Sequence, residues 1–469
     1  MLKKTLTLLT VGAIYFVQAQ DVSVLRNTAE VYSGSSVNGT AKYNAMAGAM
    51  GALGGDVSTL SVNPAGIGVA IMSDLSISLS RDQFKNTATL YGNAFDYSEK
   101  NSNMGQAGGV AVFKINGNTP WKFINIGFNY TNRNLNNYVE SRDQSGNTII
   151  DMTATESLTF NRHAYDRTGS LSRTNIGVGA NYDNKIYVGA GLNVHTAHLN
   201  QKDLAEMTLT STTPALNGVS DFFHKQYTPF YEEATGVSAS FGVIGKVNNE
   251  FRLGAAIETP SWWTIDRSYT YYDQSDDLQY IESRKFTSPT KATLSAAYVP
   301  SKSFAVNLDY TLGLSKPKFS GLADDAQKEM DNFFSNNYKN TSEIKLGAEY
   351  RIKQFRVRGG YAYASNPFDQ ITLSAFTNTG ATTDFSSAKW ITGARNTIGF
   401  GLGYDFKTFY IDAAYNNISS SYSNPFLRGS AASNTGYYSQ DFFFTNNTAV
   451  VSEVKKSLNN LTLTFGWKF

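Results

Sequence analysis

The chain has 469 residues, no cysteine, a formal net charge of +2, and 13% aromatic but only 17% charged residues. That excludes disulfide, thiolate and cysteine–metal chemistry and leaves no electrostatic footprint for nucleic acid. Mean hydropathy is −0.30, and past the first residues no apolar run approaches the ~18 residues of a spanning helix, so a helical membrane protein is excluded as well.

Lys3 and Lys4, the apolar stretch Leu6 to Val17 and the small-residue site Val17-Gln18-Ala19 have the layout of a secretory signal peptide over residues 1–19. Residues 20–68 carry no strand pattern. They are rich in small residues, with Ala45-Met46-Ala47-Gly48-Ala49-Met50-Gly51-Ala52-Leu53-Gly54-Gly55-Asp56 and then Asn63-Pro64-Ala65-Gly66. Small residues permit close backbone approach, and Pro64 holds Asn63 extended while donating no backbone hydrogen bond. Such a segment suits a lumen plug or a free periplasmic leader. Met46, Met50, Leu53, Leu60 and Ile67 are apolar anchors that a solvated leader does not need, which favours the plug.

From 69 to 469 the signal is period-two alternation. It predicts strands near 74–92, 104–115, 123–133, 172–182, 185–199, 234–247, 251–272, 280–299, 303–314, 341–352, 355–365, 394–405, 408–418 and 457–469. Leu461, Leu463, Phe465, Trp467 and Phe469 share one face of the last strand. Asn307, Asp309, Lys345, Glu349, Arg351, Arg356, Arg358 and Asp412 fall on the faces opposite the apolar ones. Alternation alone fits a soluble sandwich or a membrane barrel; the connections separate them. Very short links at Asp183-Asn184, Asn248 to Glu250, Pro300 to Lys302, Lys353-Gln354 and Phe406-Lys407, and a longer one from Asn116 to Lys122, alternate with polar loops at 134–171, 200–233, 315–340, 366–392 and 419–455. Short turns on one rim and long loops on the other mark a transmembrane antiparallel β-barrel, here of about 14 strands. The expectation is an all-β protein of the outer membrane of a Gram-negative bacterium. Its partners are outer-membrane lipid and, through the alternating C-terminal strand ending in Phe469, the barrel-assembly machinery.

The Gly/Ala-rich run, Asn63-Pro64-Ala65 behind it and the first barrel strand beyond resemble the FadL/TodX family of outer-membrane transporters for long-chain fatty acids and other hydrophobic compounds. The resemblance covers the mature chain in layout and is specific over 40–68 and, more weakly, over the final strand. It implies a 14-stranded barrel closed by an N-terminal hatch carrying Asn63, Pro64, Ala65 and Gly66, and passive uptake of a hydrophobic ligand. By position, the family's head-group contacts fall near His195, His198, Lys202, Lys316 and Lys318. A sideways exit beside the third strand would involve Asn125, Gly127 and Asn129. Apolar capture is expected from Phe222, Phe223, Phe230 and Tyr231 in one loop. In another, Leu322, Ala326, Met330, Phe333 and Phe334 have roughly helical spacing. Burying an alkyl chain is worth about 0.8 kcal/mol per CH₂, so few polar contacts are needed. Each of these side chains could equally pack the loops against one another.

No catalytic set stands out, and neither enzyme activity, cofactor nor metal is expected. His195 and His198 are three apart, which in a strand points them to opposite sides. There is no Gly-x-Ser-x-Gly elbow, and the glycines from Gly48 to Gly55 lead to no Lys-Ser/Thr. The rival readings are a partner-binding or secretion-associated barrel with a blocked lumen, a haem receptor, and an outer-membrane lipase or protease.

Overall fold

A computed structural model describes residues 22–34, 37–143, 148–153, 156–224, 229–272, 277–322, 324–376, 382–426 and 450–469. The expected signal peptide, 1–19, lies outside them. Fourteen antiparallel strands form the wall. They are β1 Asp74–Leu90, β2 Asn93–Lys114, β3 Trp121–Asn134, β4 Glu156–Tyr182, β5 Ile186–Ser211 and β6 Phe230–Lys246. Then come β7 Phe251–Glu258 with Trp262–Tyr272, β8 Asp277–Thr287 with Lys291–Ser301, and β9 Phe304–Gly313 with Lys318–Ser320. β10 Ser342–Ile352, β11 Phe355–Ala364, β12 Arg395–Asp405, β13 Phe409–Phe426 and β14 Val450–Lys468 complete the set. Each strand pairs with its sequence neighbours, and β1 pairs with β14 from Asp74↔Lys468 to Thr89↔Glu453, so the sheet has no free edge. Closure gives each strand a paired neighbour on both sides, which a hydrocarbon surround demands.

The faces are inverted relative to a soluble protein. On β1, Leu75, Ile77 and Leu79 are exposed while Ser76, Ser78 and Ser80 are buried. Phe400 and Leu402 on β12 are 61% and 64% exposed, whereas Asn307 and Asp309 on β9 are fully buried. In water such an outer face would be unfavourable over the whole circumference; against lipid it is the expected one. Exposed Trp121, Phe251, Tyr298, Tyr350, Phe355, Phe406, Phe409 and Trp467 ring the short-turn end, an aromatic girdle at one interface.

Two features differ from the sequence expectation. The loops at 134–171 and 200–233 are largely ladder, because β4 and β5 stay paired from Tyr182↔Ile186 out to Glu156↔Ser211. Outside the bilayer no lipid enforces strict alternation, so the periodic signal fades while the pairing continues. The strands expected at 251–272 and 280–299 are each broken once, at 259–261 and 288–290. Pro260 and Pro289 sit in these breaks, and Pro317 sits in the matching break of β9. Proline cannot donate to a ladder; Ser288 N–H to Ser261 O (3.0 Å) and Leu314 N–H to Thr290 O (2.8 Å) carry the wall across the gap. Between β1 and β2 the turn is tight, with both Tyr91 (φ 48°) and Gly92 (φ 85°) left-handed as a type I′ hairpin requires.

Candidate functional site

The lumen is filled by the chain ahead of β1. Val22–Asn27 is α-helical and continues as a π-helical turn, Thr28–Tyr32; Ala41–Ala45 is helical; Val57–Ser61 and Pro64–Val69 are 3₁₀. The lower part, from Asn38 to Ala70, is bonded to the wall on all sides. Ala41 N–H donates to Thr464 Oγ1 (2.7 Å) on β14, and Asn416 Nδ2 of β13 donates to Asn44 O (2.6 Å). Met50 and Gly51 N–H donate to the Asp309 carboxylate (3.0 and 3.1 Å) on β9, and Ala52 N–H donates to Asn307 Oδ1 (3.2 Å). Arg252 of β7 donates to Leu53 O (2.9 Å). A segment this short of regular structure leaves many backbone groups unpaired, and the inward polar side chains of the strands satisfy them.

Close approach does the rest. Inward positions facing this segment are often glycine. A Cβ on Gly399 would stand 2.6 Å from Ala45 O, one on Gly179 2.7 Å from Gly68 N, and one on Gly360 would overlap the Met46 carbonyl. The small-residue stretch of the plug meets small residues of the wall.

The Asn63-Pro64-Ala65-Gly66 motif is a structural clasp. Asn63 caps the last 3₁₀ turn, its Oδ1 accepting Ala65 N–H (3.0 Å), with Pro64 at the first position where a missing N–H costs nothing. Its Nδ2 donates to Gly51 O (2.7 Å) and to Val243 O (3.3 Å) of β6. One side chain therefore ties the turn to the preceding loop and to the wall.

The upper part, residues 22–34, is held differently. Arg26 donates to Ile391 O (2.9 Å) and lies 4.2 Å from the Tyr422 ring centroid. Asn27 bonds Gln201 (2.7 Å) and accepts from Arg167 (2.6 Å). Glu30 pairs with Arg167 (3.1 Å) of β4 and with Lys456 (3.2 Å) of β14. Burial alone would raise the Glu30 carboxyl, but Lys456 and Arg167 beside it outweigh burial and hold it down at about 2. Tyr32 Oη donates to Glu232 (2.9 Å). Leu25, Ala29, Val31 and Tyr32 enter an apolar cap with Phe160, Trp263, Phe286, Phe319 and Trp390.

Between the two parts, around Gly34 and Asn38, lies a cavity of ≈ 230 Å³, and beside it a second of ≈ 110 Å³. Charged side chains stand among apolar ones in its lining: Glu30, Asp82, Arg133, Lys291, Glu343, Arg395 and Lys456 all face it. The wall beside it has a seam. β2 and β3 pair up to Gln106↔Thr131 and no further, while β1 and β2 run on to Leu90↔Asn93, and β3 and β4 to Asn134↔Ser170. Asn136 to Glu99 (2.7 Å) and Asn86 to Tyr138 O (2.7 Å) bridge it by side chains.

The expected ligand residues do not converge. His195 faces the lumen, 3.1 Å from Ser238 Oγ and against the Trp263 ring; His198 faces out, 3.8 Å from Glu233. Lys202 and Lys318 are exposed, and Lys316 donates to Ser335 O of the helix Asp324–Asn337. No head-group site assembles from this set. Phe230, Phe333 and Phe334 are buried in the cap, where they pack the loops; Tyr231 points outward, 37% exposed. Phe222 and Phe223 lie in the strand Val219–His224, and their side chains fall outside the described residues. Asn125 donates to Ile67 O (2.8 Å) and Ala70 O (2.9 Å), a Cβ on Gly127 would meet Leu60 and Ile67 at 3.0 and 3.1 Å, and Asn129 accepts from Gln106 (3.1 Å). Asn125 and Gly127 seat the plug and Asn129 ties β3 to β2, all in a stretch of β3 paired on both sides. Sequence reasoning missed Glu30, Arg133 and Lys291. Parity could have found the last two, since Arg133 shares its face with Asn129 and Thr131, and Lys291 with Thr293 and Ser295.

No family model and no curated protein matches this chain. Solved structures share its fold. The Pseudomonas putida toluene transporter TodX is 13% identical, with a TM-score of 0.52 over 93% of this chain and 99% of its own. A Pseudomonas aeruginosa FadL homologue is 13% identical, at 0.54 over 93% and 99%. The Ralstonia pickettii toluene transporter TbuX is 16% identical, at 0.51 over 92% and 99%.

Proposed function

We propose that this chain, which has the barrel fold of the FadL/TodX channels, is an outer-membrane channel of a Gram-negative bacterium for passive uptake of hydrophobic compounds, long-chain fatty acids among them. The observation that carries the reading is a closed barrel with a lipid-compatible exterior and a plug seated on every side of its lumen. No straight path crosses such a plug, so cargo enters from the loop side, waits in the cavity between the two parts of the plug and leaves once the upper part shifts. The exit is sideways, through the β2–β3 seam above Gln106 and Thr131, where side chains alone bridge the wall. That route needs no movement of the stapled lower plug.

Growth tests the reading. A deletion strain supplied with a long-chain fatty acid at limiting concentration should grow slowly, and the intact gene should restore it. Unchanged growth and unchanged uptake of neutral hydrophobic probes, with the barrel assembled in the wild type, would exclude the uptake role.

A further inference from the structure

The outer face of the wall carries a row of cations just above its apolar belt. Counted from the short-turn end, the outward residues stay apolar or small as far as Leu79 on β1, Met104 on β2, Tyr415 on β13 and Leu461 on β14. Tyr415, exposed at that level, marks the upper interface. The same outward parity then presents Arg81, Lys85, Lys100 and Lys455, all exposed. Register places them side by side. Arg81 lies opposite Ser102, Lys85 opposite Ser98 and Ser457, and Lys455 opposite Thr87. Lys100, opposite Gln83, therefore stands diagonally between Arg81 and Lys85, and Lys455 stands diagonal to Lys85. Diagonal neighbours on one face are roughly 7–8 Å apart, and like charges so placed repel. The acids on this face are Asp96 and Glu453; Asp96 takes Lys85 at 3.8 Å, and Glu453 accepts from Ser423. Among the described residues Arg81, Lys100 and Lys455 have no carboxylate at ion-pair distance. The row is not a feature of the whole rim: on β6 and β7 the facing outward pair is Glu233 and Asp266.

Cations left unbalanced where the hydrocarbon ends face the headgroups of the surrounding lipid. Depth selects among those headgroups. From Arg81 to Thr87, the partner of Lys455, is six residues, about 20 Å of strand and about 15 Å of height at a barrel's usual tilt. A glycerophospholipid offers one phosphate at one depth. The glycolipid of a Gram-negative outer leaflet offers phosphates on its lipid A disaccharide and further acidic groups on the sugars above. Arg81 sits lowest, and its planar guanidinium suits a phosphate through two parallel bonds. Lys100 and Lys455 follow upward as point charges. We infer that the outer face of β14, β1 and β2 is a docking surface for lipopolysaccharide, with Arg81 at the lipid A phosphates and Lys100 and Lys455 on the anionic groups above them. The inference rests on the outer-membrane placement of the barrel and not on what the lumen carries.

Native mass spectrometry of the full chain in detergent tests it, with diphosphoryl lipid A as the ligand and lipid A stripped of both phosphates as its neutral counterpart. The diphosphoryl form should bind at least about tenfold more tightly, and the preference should shrink as salt is raised. Arg81→Gln and Lys100→Gln should each weaken it about fivefold and leave the stripped form unchanged. Lipid A extended by its acidic inner-core sugars should bind more tightly still, and Lys455→Gln should remove that gain. A triple variant, Arg81→Lys with Lys100→Arg and Lys455→Arg, keeps the charges and should keep most of the preference. Fast gel migration of the unboiled barrel shows that each variant is folded. Equal binding of the two lipid A forms, or unchanged binding in the triple glutamine variant, would overturn the surface. Phosphatidylglycerol binding as tightly as diphosphoryl lipid A would replace it by a general anionic-lipid face. Either result from a barrel that still inserts and takes up hydrophobic probes would leave the uptake reading standing, whereas a chain that inserts into no bilayer would sink both.

Discussion

The two halves of the plug are held by different forces. The lower half, from Asn38 to Ala70, is seated by backbone hydrogen bonds to inward Thr, Asn and Asp side chains and by contact against wall glycines. The upper half, Val22 to Gly34, packs Leu25, Ala29, Val31 and Tyr32 into the cap and is tied to the wall by long side chains reaching charged partners beside open space. Backbone bonds and glycine contacts on every side leave the lower half no second position, whereas the ionic contacts of the upper half lie next to a cavity and can be exchanged for others. The lower half thus behaves as a gasket and the upper half as a latch, and substitutions in each should fail in different ways.

The largest effect is expected where packing is tightest. Gly360→Leu puts a side chain into the Met46 carbonyl; overpacking of this kind costs about 3 kcal/mol. It should unseat the lower plug, read as protease cleavage between 41 and 70 and as a steady conductance in planar bilayers. A sealed, protease-resistant variant would show that the glycine contact is slack. Next is Asn63→Ala. It leaves Gly51 O and Ala65 N–H without their partner, at about 2 kcal/mol, and should lower the urea midpoint for plug release while the barrel midpoint stays put.

Glu30→Gln should act on the latch alone. Its partners Arg167 and Lys456 are 4% and 21% exposed, so screening is slight, but the amide keeps an acceptor oxygen for them and the effect should be about 1.5 kcal/mol. Because the folded carboxyl is depressed, its stabilising contribution is complete above the ordinary value of 4.5 and is lost only as pH falls through about 2. The upper segment should therefore stay closed from about pH 5 to 7, and release in that window would contradict the assignment. The smallest effect belongs to Lys85→Ala. The Lys85–Asp96 pair is 3.8 Å long and more than half exposed on the β1–β2 hairpin; its loss should change stability by less than about 0.5 kcal/mol.

The wall was legible in the sequence because lipid enforces parity. Leu461 to Phe469 or Phe304 to Leu312 can alternate only one way when one face meets hydrocarbon, and the tight links fixed the rims. Where lipid stops, so does the signal, which is why the β4–β5 extension reads as loop while its ladder runs to Glu156↔Ser211. The plug was legible as composition but not as contacts. Asn63 shows no sign in sequence that it grips Gly51 and Val243, the latter 180 residues away. Glu30 and Lys456 are 426 residues apart, and only the closed barrel brings them together. The apolar ligand candidates Phe230, Phe333 and Phe334 are side chains that the cap uses for its own packing, while Arg133 and Lys291, which face the neck cavity, sit on the inward parity of strands.

Backbone hydrogen exchange on the full chain tests the division of the plug most directly. The amides of Ala41, Met50, Gly51, Ala52 and Ala65, each bonded to a side-chain oxygen at 2.7–3.2 Å, should be as protected as those of the barrel strands, while residues 22–33 exchange faster and accelerate again in Glu30→Gln. Uniform exchange along the plug, or a lower half that opens before the upper one, would contradict the account.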